Sequence, residues 1–197
     1  VKLRTEADVE LIKKLAPDIV VIATGSTPII PNIPGVELPH VMTVDKYLWE
    51  RPEVGDKVVV LGNEEPAEVA LSLARDGKSV TIISPTKSYM DAPYLYYSVR
   101  QYLLNLYLKE AGVKIVTEAK IERITREGVE IITKEGKREL AEADNVILAF
   151  GRKPEDKLAK ELKGIVPQVI VIGDAKKPAH IQHAIHSANI VARFMIP

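Results

Sequence analysis

Apolar residues follow two rhythms along the chain: short continuous runs, and stretches in which they recur every three or four positions. The runs at 19–23, 58–61 and 80–83 are four to five residues long, rich in Val and Ile, and separated by helical patterns. That alternation is the mark of a parallel sheet with crossover helices. In chain order, 1–4 reads as a short strand, and Asp8 is placed to cap a helix running to Leu15. Residues 18–23 (DIVVIA) form a strand whose unbroken apolar character implies cover on both faces. It ends in the turn Thr24-Gly25-Ser26-Thr27-Pro28, and 28–39 (PIIPNIPGVELP) is too proline-rich for regular structure. A second unit opens with KVVVL at 57–61, a turn at 62–66, a helix from 67 to about 76 with Ala70, Leu73 and Ala74 on one face, and the stop Gly77. The strand 79–83 closes this βαβ unit. A helix over 98–111 carries Val99, Leu103, Leu106 and Glu110 at helical spacing and ends at Gly112, before a strand at 113–116. Glu127-Gly128 and Glu135-Gly136 divide 120–145 into the alternating runs of an antiparallel meander. Apolar strands return at 146–150 and 169–172, and a helix is expected over about 181–194.

Two strand ends echo one another: IATGS at 22–26 and LAFGR at 148–152 both stop in a small-residue turn, at Gly25 and Gly151. Chains that leave a domain and later return to it often do so through such a pair. The expectation is therefore an α/β protein with a discontinuous domain, 1–44 and 145–197, interrupted by an inserted domain at 45–144.

Composition narrows the function classes. Of 197 residues, 46% are hydrophobic and 27% charged, the make-up of a soluble globular protein. Twenty-seven Lys and Arg balance 27 Asp and Glu, so no net field draws nucleic acid or an anionic membrane. The absence of Cys excludes disulfides, thiolate catalysis and cysteine ligation of zinc or iron-sulfur clusters by these residues. No apolar run approaches the roughly 20 residues that cross a bilayer. The first residue is Val and no secretory pattern follows it, so a fragment, a processed product and part of a longer polypeptide all stay open.

The strongest local signal for chemistry is VIVIGDA at 169–175, where a strand end presents Gly173 and Asp174. Glycine admits close approach of a ligand, and the carboxylate can accept a bond from a sugar hydroxyl. A turn or cap role for Asp174 is the competing reading. His180, His183 and His186 suggest a metal, but no carboxylate or Cys is spaced to complete the set, and solvent-facing imidazoles are preferred. The tyrosines 89, 94, 96, 97, 102 and 107 read as packing around the long helix, with an interface or electron-transfer face as the alternative. No catalytic residue stands out.

Taken in order, PDIVVIATGSTPIIPNIPG, ILAFGRKP and VIVIGDAKKP with its following helix resemble the C-terminal third of the trimethylamine dehydrogenase, 2,4-dienoyl-CoA reductase and NADH:flavin oxidoreductase family. The resemblance covers nearly the whole chain. It implies two Rossmann-like dinucleotide-binding domains of the flavoprotein disulfide-reductase type, the first discontinuous and truncated at its N-terminus. In that family a separate barrel carries FMN and a 4Fe-4S cluster, while these domains hold FAD or ADP and, in the reductases, receive NAD(P)H. By the resemblance, Thr24 and Gly25 lie beside the dinucleotide, Gly151 forms the matching return turn, and Gly173 and Asp174 meet the ribityl chain and phosphate. Ile181 and Ala184 open the last helix near the isoalloxazine. Ala179 and His183 stand where the family often has Arg and Asp. The family's first βαβ unit, with the pyrophosphate loop, would lie before Val1.

The inserted domain departs further. Where the family has G-x-G-x-x-G the chain reads GNEEPAE, so Gly62 alone remains as a candidate contact. Glu64 and Glu65 would face the pyrophosphate, and Pro66 lacks an amide donor. Ser84 stands where many NAD-specific relatives carry an acid, and with Lys87 it offers a 2′-phosphate reading that the preceding loop opposes. The expectation is a module of a flavin-dependent oxidoreductase, in the cytoplasm, with FAD or ADP bound in the complete assembly and NAD(P) binding impaired. Its partners would be the missing FAD-binding unit and the FMN/iron-sulfur barrel, on the same or another chain, or a second copy of itself in a homo-oligomer. A non-catalytic assembly or adenine-nucleotide-binding module is the alternative, so whether the chain is itself an enzyme stays open.

Overall fold

In the computed structural model of the chain, residues 1–63, 66–90 and 98–195 are described. In chain order the elements are α1 (Val9–Leu15), β1 (Ile19–Ile22), β2 (Ser26–Pro28), β3 (Val41–Thr43), α2 (Val44–Glu50), β4 (Lys57–Gly62), α3 (Pro66–Arg75), β5 (Ser79–Ile83) and α4 (Ser98–Glu110). There follow β6 (Lys114–Val116), β7 (Lys120–Thr125), β8 (Gly128–Ile132), β9 (Arg138–Glu142), β10 (Asn145–Ala149), β11 (Arg152–Pro154), α5 (Lys157–Glu161), β12 (Gln168–Val171) and α6 (Ile181–Ile190). Local chemistry sets several ends. The Asp8 carboxylate accepts from the Leu11 amide at 2.8 Å and starts α1. Gly77, at φ +83°, ends α3 by letting its own amide and that of Lys78 reach back to the carbonyls of Ala74 and Leu73.

The chain divides into an outer unit, Val1–Thr27 with Arg152–Pro197, and an inner unit, Pro28–Gly151. The inner unit is built on a five-stranded parallel sheet in the order β3-β10-β4-β5-β6. The crossovers β3 to β4 to β5 to β6 advance in one direction, and right-handed crossovers of that kind lay their helices on one face. On that face Val58 and Val60 of β4 meet Val44 and Tyr47 of α2, Ala70 and Leu73 of α3, and Leu104 and Leu108 of α4. The return from β6 to β10 runs the other way, through the antiparallel sheet β7-β8-β9, and covers the opposite face. There Val59 and Leu61 pack with Ile124, Val129 and Ile131. Each such fully buried aliphatic side chain contributes about 1.5–3 kcal/mol relative to exposure.

The outer unit has a smaller core of Ile22, Ala159, Leu162, Val166 and Ala175 under the two-stranded parallel pair β1-β12. A second pair, β2-β11, forms where the chain leaves and re-enters this unit. Among the described residues no helix is long and apolar enough to cross a membrane.

Several sequence expectations are corrected. Residues 1–4 form no strand, and Arg4 takes φ +52°. The expected divisions at 44/45 and 144/145 fall instead at 27/28 and 151/152, because β3 and β10 are hydrogen-bonded into the same sheet as β4. The run in β1 is not covered on both faces: Ile22 is buried, whereas Val21 is 39% exposed. The last helix passes into a π-helical turn at Val191–Met195.

On α4 the residues at the expected spacing, Val99, Leu103 and Leu106, are exposed, and Leu104 and Leu108 are the ones buried. Leu108→Ala should therefore cost about 2–5 kcal/mol, while Leu106→Ala should cost about 0.5 kcal/mol or less. Urea denaturation of the two variants checks this. Equal losses would show that the outward stripe is covered.

Candidate functional site

In the outer unit β12 delivers Gly173 and Asp174 into a tight 3-10 turn, Gly173–Ala175. Gly173 has φ +57°, a conformation that glycine tolerates best. A Cβ there would stand an ordinary 3.6 Å from the Cβ of Ala184, so the backbone conformation and not crowding favours glycine. Its amide donates to the Ser187 hydroxyl at 3.0 Å, which ties the turn to α6.

The half-buried Asp174 carboxylate is held on both oxygens. Oδ2 accepts from the Ser26 hydroxyl at 3.1 Å, and Oδ1 from the Ala179 amide at 3.3 Å. Ser26 is gripped in turn by Arg152, whose Nε donates to its hydroxyl at 2.8 Å and whose Nη2 donates to its carbonyl at 2.7 Å. Beside it, Gly25 (φ +78°) has open space where a Cβ would stand. Its carbonyl accepts from the Glu155 amide at 3.0 Å, and the Thr24 hydroxyl donates to the Glu155 carbonyl.

Thus Gly25, Gly173 and Asp174 are drawn into one hydrogen-bonded neighbourhood, with Ala184 packed against Gly173. Thr24 is occupied in bracing the turn, and Ile181 is 81% exposed at the start of α6. Sequence reasoning missed Ser26, Arg152 and Ser187. The available signal was the polar residue directly after each turn glycine, Ser26 after Gly25 and Arg152 after Gly151.

In the inner unit Gly62 ends β4 opposite Ala149 of β10. This lies where the connections of the parallel sheet diverge, the usual ligand crevice of such a fold. Yet a Cβ on Gly62 would fall 1.9 Å from the Ala149 carbonyl oxygen, so the close approach of two strands already accounts for this glycine. Gly151, at φ +79°, turns the chain out of β10, and its carbonyl accepts from the Ile29 amide at 2.9 Å. Pro66 is the buried first residue of α3, and Glu64 and Glu65 lie outside the described residues. Ser84 is completely buried. Its hydroxyl donates to the Ser88 carbonyl at 2.8 Å and accepts from the Thr86 amide at 3.2 Å, so it is consumed locally, while Lys87 is exposed.

The remaining candidates scatter. The His180 and His183 rings lie 5.9 Å apart, and among the described residues no group of three or more His, Cys, Asp or Glu could hold a metal. Tyr89 packs against the helix-side core, donates to Asn105 of α4, and has its phenol pKa raised by burial. Tyr102 is exposed and Tyr107 lies under the Arg75 guanidinium at 5.5 Å, while Tyr94, Tyr96 and Tyr97 fall outside the described residues. An open cavity of about 480 Å³, lined by Tyr47, Arg51, Leu73 and Lys78 among others, sits at the start of β4 and β5. That is the end of the sheet opposite Gly62.

The fold and these turns meet a matching family model, pyridine nucleotide-disulphide oxidoreductase, over residues 2–188. The chain belongs to that family. It is 32% identical over 195 residues to a cinnamate reductase of Clostridium sporogenes, covering 98% of this chain and 29% of that protein. It is 28% identical to a dimethylamine dehydrogenase of a Hyphomicrobium species, covering 82% of this chain and 26% of that protein. The solved structure of a 2-naphthoyl-CoA reductase with 2-naphthoyl-CoA superposes at a TM-score of 0.84 and 36% identity, over 94% of this chain and 28% of that one. The chain thus spans less than a third of the length of these relatives. The resemblance to the trimethylamine dehydrogenase and reductase family is borne out, as is the Rossmann-like α/β fold. The chain is a dinucleotide-binding-fold module of oxidoreductase type.

Proposed function

We propose that this pyridine nucleotide-disulphide oxidoreductase module serves a flavin-dependent oxidoreductase, its outer unit facing FAD or ADP and its inner unit retaining the NAD(P) fold with an impaired site. The observation that carries the reading is the Asp174 carboxylate. It is fixed at a strand end by Ser26, the residue that follows Gly25, and at Gly25 open space lets a dinucleotide approach the backbone. Both Asp174 oxygens keep lone pairs beyond the bonds they make, which suits the acceptance of ribose or ribityl hydroxyls. When bound, the flavin supplies the redox chemistry, passing electrons between a nucleotide or other acceptor and a flavin and iron-sulfur partner domain. Gly25, Gly173 and Asp174 hold and orient it, and Ala184 packs behind the turn. The partner domain, on the same or another chain, and a cytoplasmic setting belong to the same proposal, as does a contact at the edges of β1 and β12.

The reading is tested in the full-length gene product, whatever flanks the chain. Asp174→Ala should weaken FAD binding by roughly ten- to a hundredfold, the worth of a hydrogen bond to a charged group. Unchanged affinity would overturn the role given to Asp174. The 197-residue chain expressed alone should purify without flavin absorbance, because residues 1–27 and 152–197 contain no G-x-G-x-x-G turn to seat a pyrophosphate. A yellow preparation with one flavin per chain would show that the sugar-facing residues suffice.

A further inference from the structure

The inner bond of the Asp174 neighbourhood has a fixed polarity. Arg152 Nε can only donate, and it occupies a lone pair of the Ser26 oxygen at 2.8 Å. The carboxylate 3.1 Å away on the other side can only accept. The single hydroxyl proton of Ser26 is therefore directed at Asp174 Oδ2. The second arm of the guanidinium, on the Ser26 carbonyl at 2.7 Å, fixes the backbone that carries the hydroxyl. A planar fork grips one residue through side chain and main chain together, a geometry that an ammonium cannot reproduce. With the Ala179 amide on Oδ1, the carboxylate can rotate only by breaking a bond.

We propose that Arg152 and Ser26 are positioning residues that aim the Asp174 carboxylate at a sugar or ribityl hydroxyl of the dinucleotide, an inference that rests on the flavin-facing reading above. The three residues are 126 and 148 positions apart in the chain. Ser26 stands where the chain leaves the outer unit and Arg152 where it returns. Both crossings are thereby fastened to the residue that meets the ligand, and the β2-β11 pair holds them in register.

The test titrates FAD, by flavin fluorescence, into the apo form of the full-length gene product and of its variants, with thermal midpoints recorded alongside. Ser26→Ala should raise the dissociation constant about five- to tenfold. Ser26→Thr, which keeps the hydroxyl, should return it to within about twofold of wild type. Arg152→Lys should behave like Ser26→Ala. In an Asp174→Ala background, Ser26→Ala should have no further effect, because there is no carboxylate left to aim. Wild-type affinity in Ser26→Ala, or a Ser26→Thr as weak as Ser26→Ala, overturns the relay while leaving the role of Asp174 intact. An additive loss in the double variant does the same, since it marks a general structural effect. Unchanged affinity in Asp174→Ala, or a full-length product that takes up no FAD, overturns the flavin-facing reading and the relay with it.

Discussion

Gly62→Ala should lower the stability of the inner unit by about 4 kcal/mol, among the largest effects expected of a single substitution. The added methyl would stand 1.9 Å from the Ala149 carbonyl oxygen and 2.3 Å from its carbon. These are backbone atoms of β10, held in register by the pairing from Asn145↔Val58 to Ala149↔Gly62, so they cannot move aside as a side-chain tip would. The φ of +139° adds backbone strain of about 1–3 kcal/mol for any residue with a Cβ. Gly77→Ala is the control. It also has positive φ, but nothing lies within 4 Å of its new methyl, so about 1–2 kcal/mol is expected. Urea unfolding followed by circular dichroism measures both. If Gly62→Ala proved no worse than Gly77→Ala, strand packing would not explain the glycine, and a role in ligand approach would regain its force.

The inner sheet was legible in the sequence because its central strands are buried on both faces. Val58 and Val60 face the helices, Val59 and Leu61 face the antiparallel sheet, and the result is an unbroken apolar run. The same logic overreached at β1, where IVVI promises two covered faces and Val21 is left exposed. A run reports what a strand can bury, not what this chain places over it. On α4 both the Val99-Leu103-Leu106 set and the Leu104-Leu108 set are apolar, so spacing alone did not say which side faces inward. The unit boundaries escaped because β3 is a three-residue strand paired with β10 across about a hundred residues of sequence, and no local pattern encodes that partnership.

For the candidate site, a strand that stops at Gly-Asp was enough to single out Gly173 and Asp174. What fixes Asp174 was not, since Ser26 and Arg152 become its support only when distant segments meet. Gly62 shows the opposite limit. A glycine after a strand fits a cofactor turn and a close strand approach equally well in sequence, and only the distance to Ala149 separates the two.

Titration with NADH or NADPH should return dissociation constants in the millimolar range. A micromolar nucleotide site has about 8 kcal/mol of binding free energy and a millimolar one about 4, so roughly 4 kcal/mol must be missing. Glu64 and Glu65 stand in the sequence where the pyrophosphate would approach, and each repels a phosphate by about 1 kcal/mol at contact in water. Pro66 opens α3 without an amide, and one lost hydrogen bond to a charged group is worth about 1.5–3 kcal/mol. Those losses together reach the required size. The Ser84 hydroxyl, held by Ser88 and Thr86, offers a 2′-phosphate nothing in return. Calorimetry should compare the wild type with a variant whose turn is rebuilt as Gly-x-Gly-x-x-Gly with one residue inserted. Micromolar binding by the wild type would sink the impaired-site reading and make the inner unit a working reductase domain. Binding by the rebuilt turn alone would make the turn the cause. If neither binds, the pocket beyond the turn has diverged as well, and the closed Ser84 neighbourhood is the place to restore next.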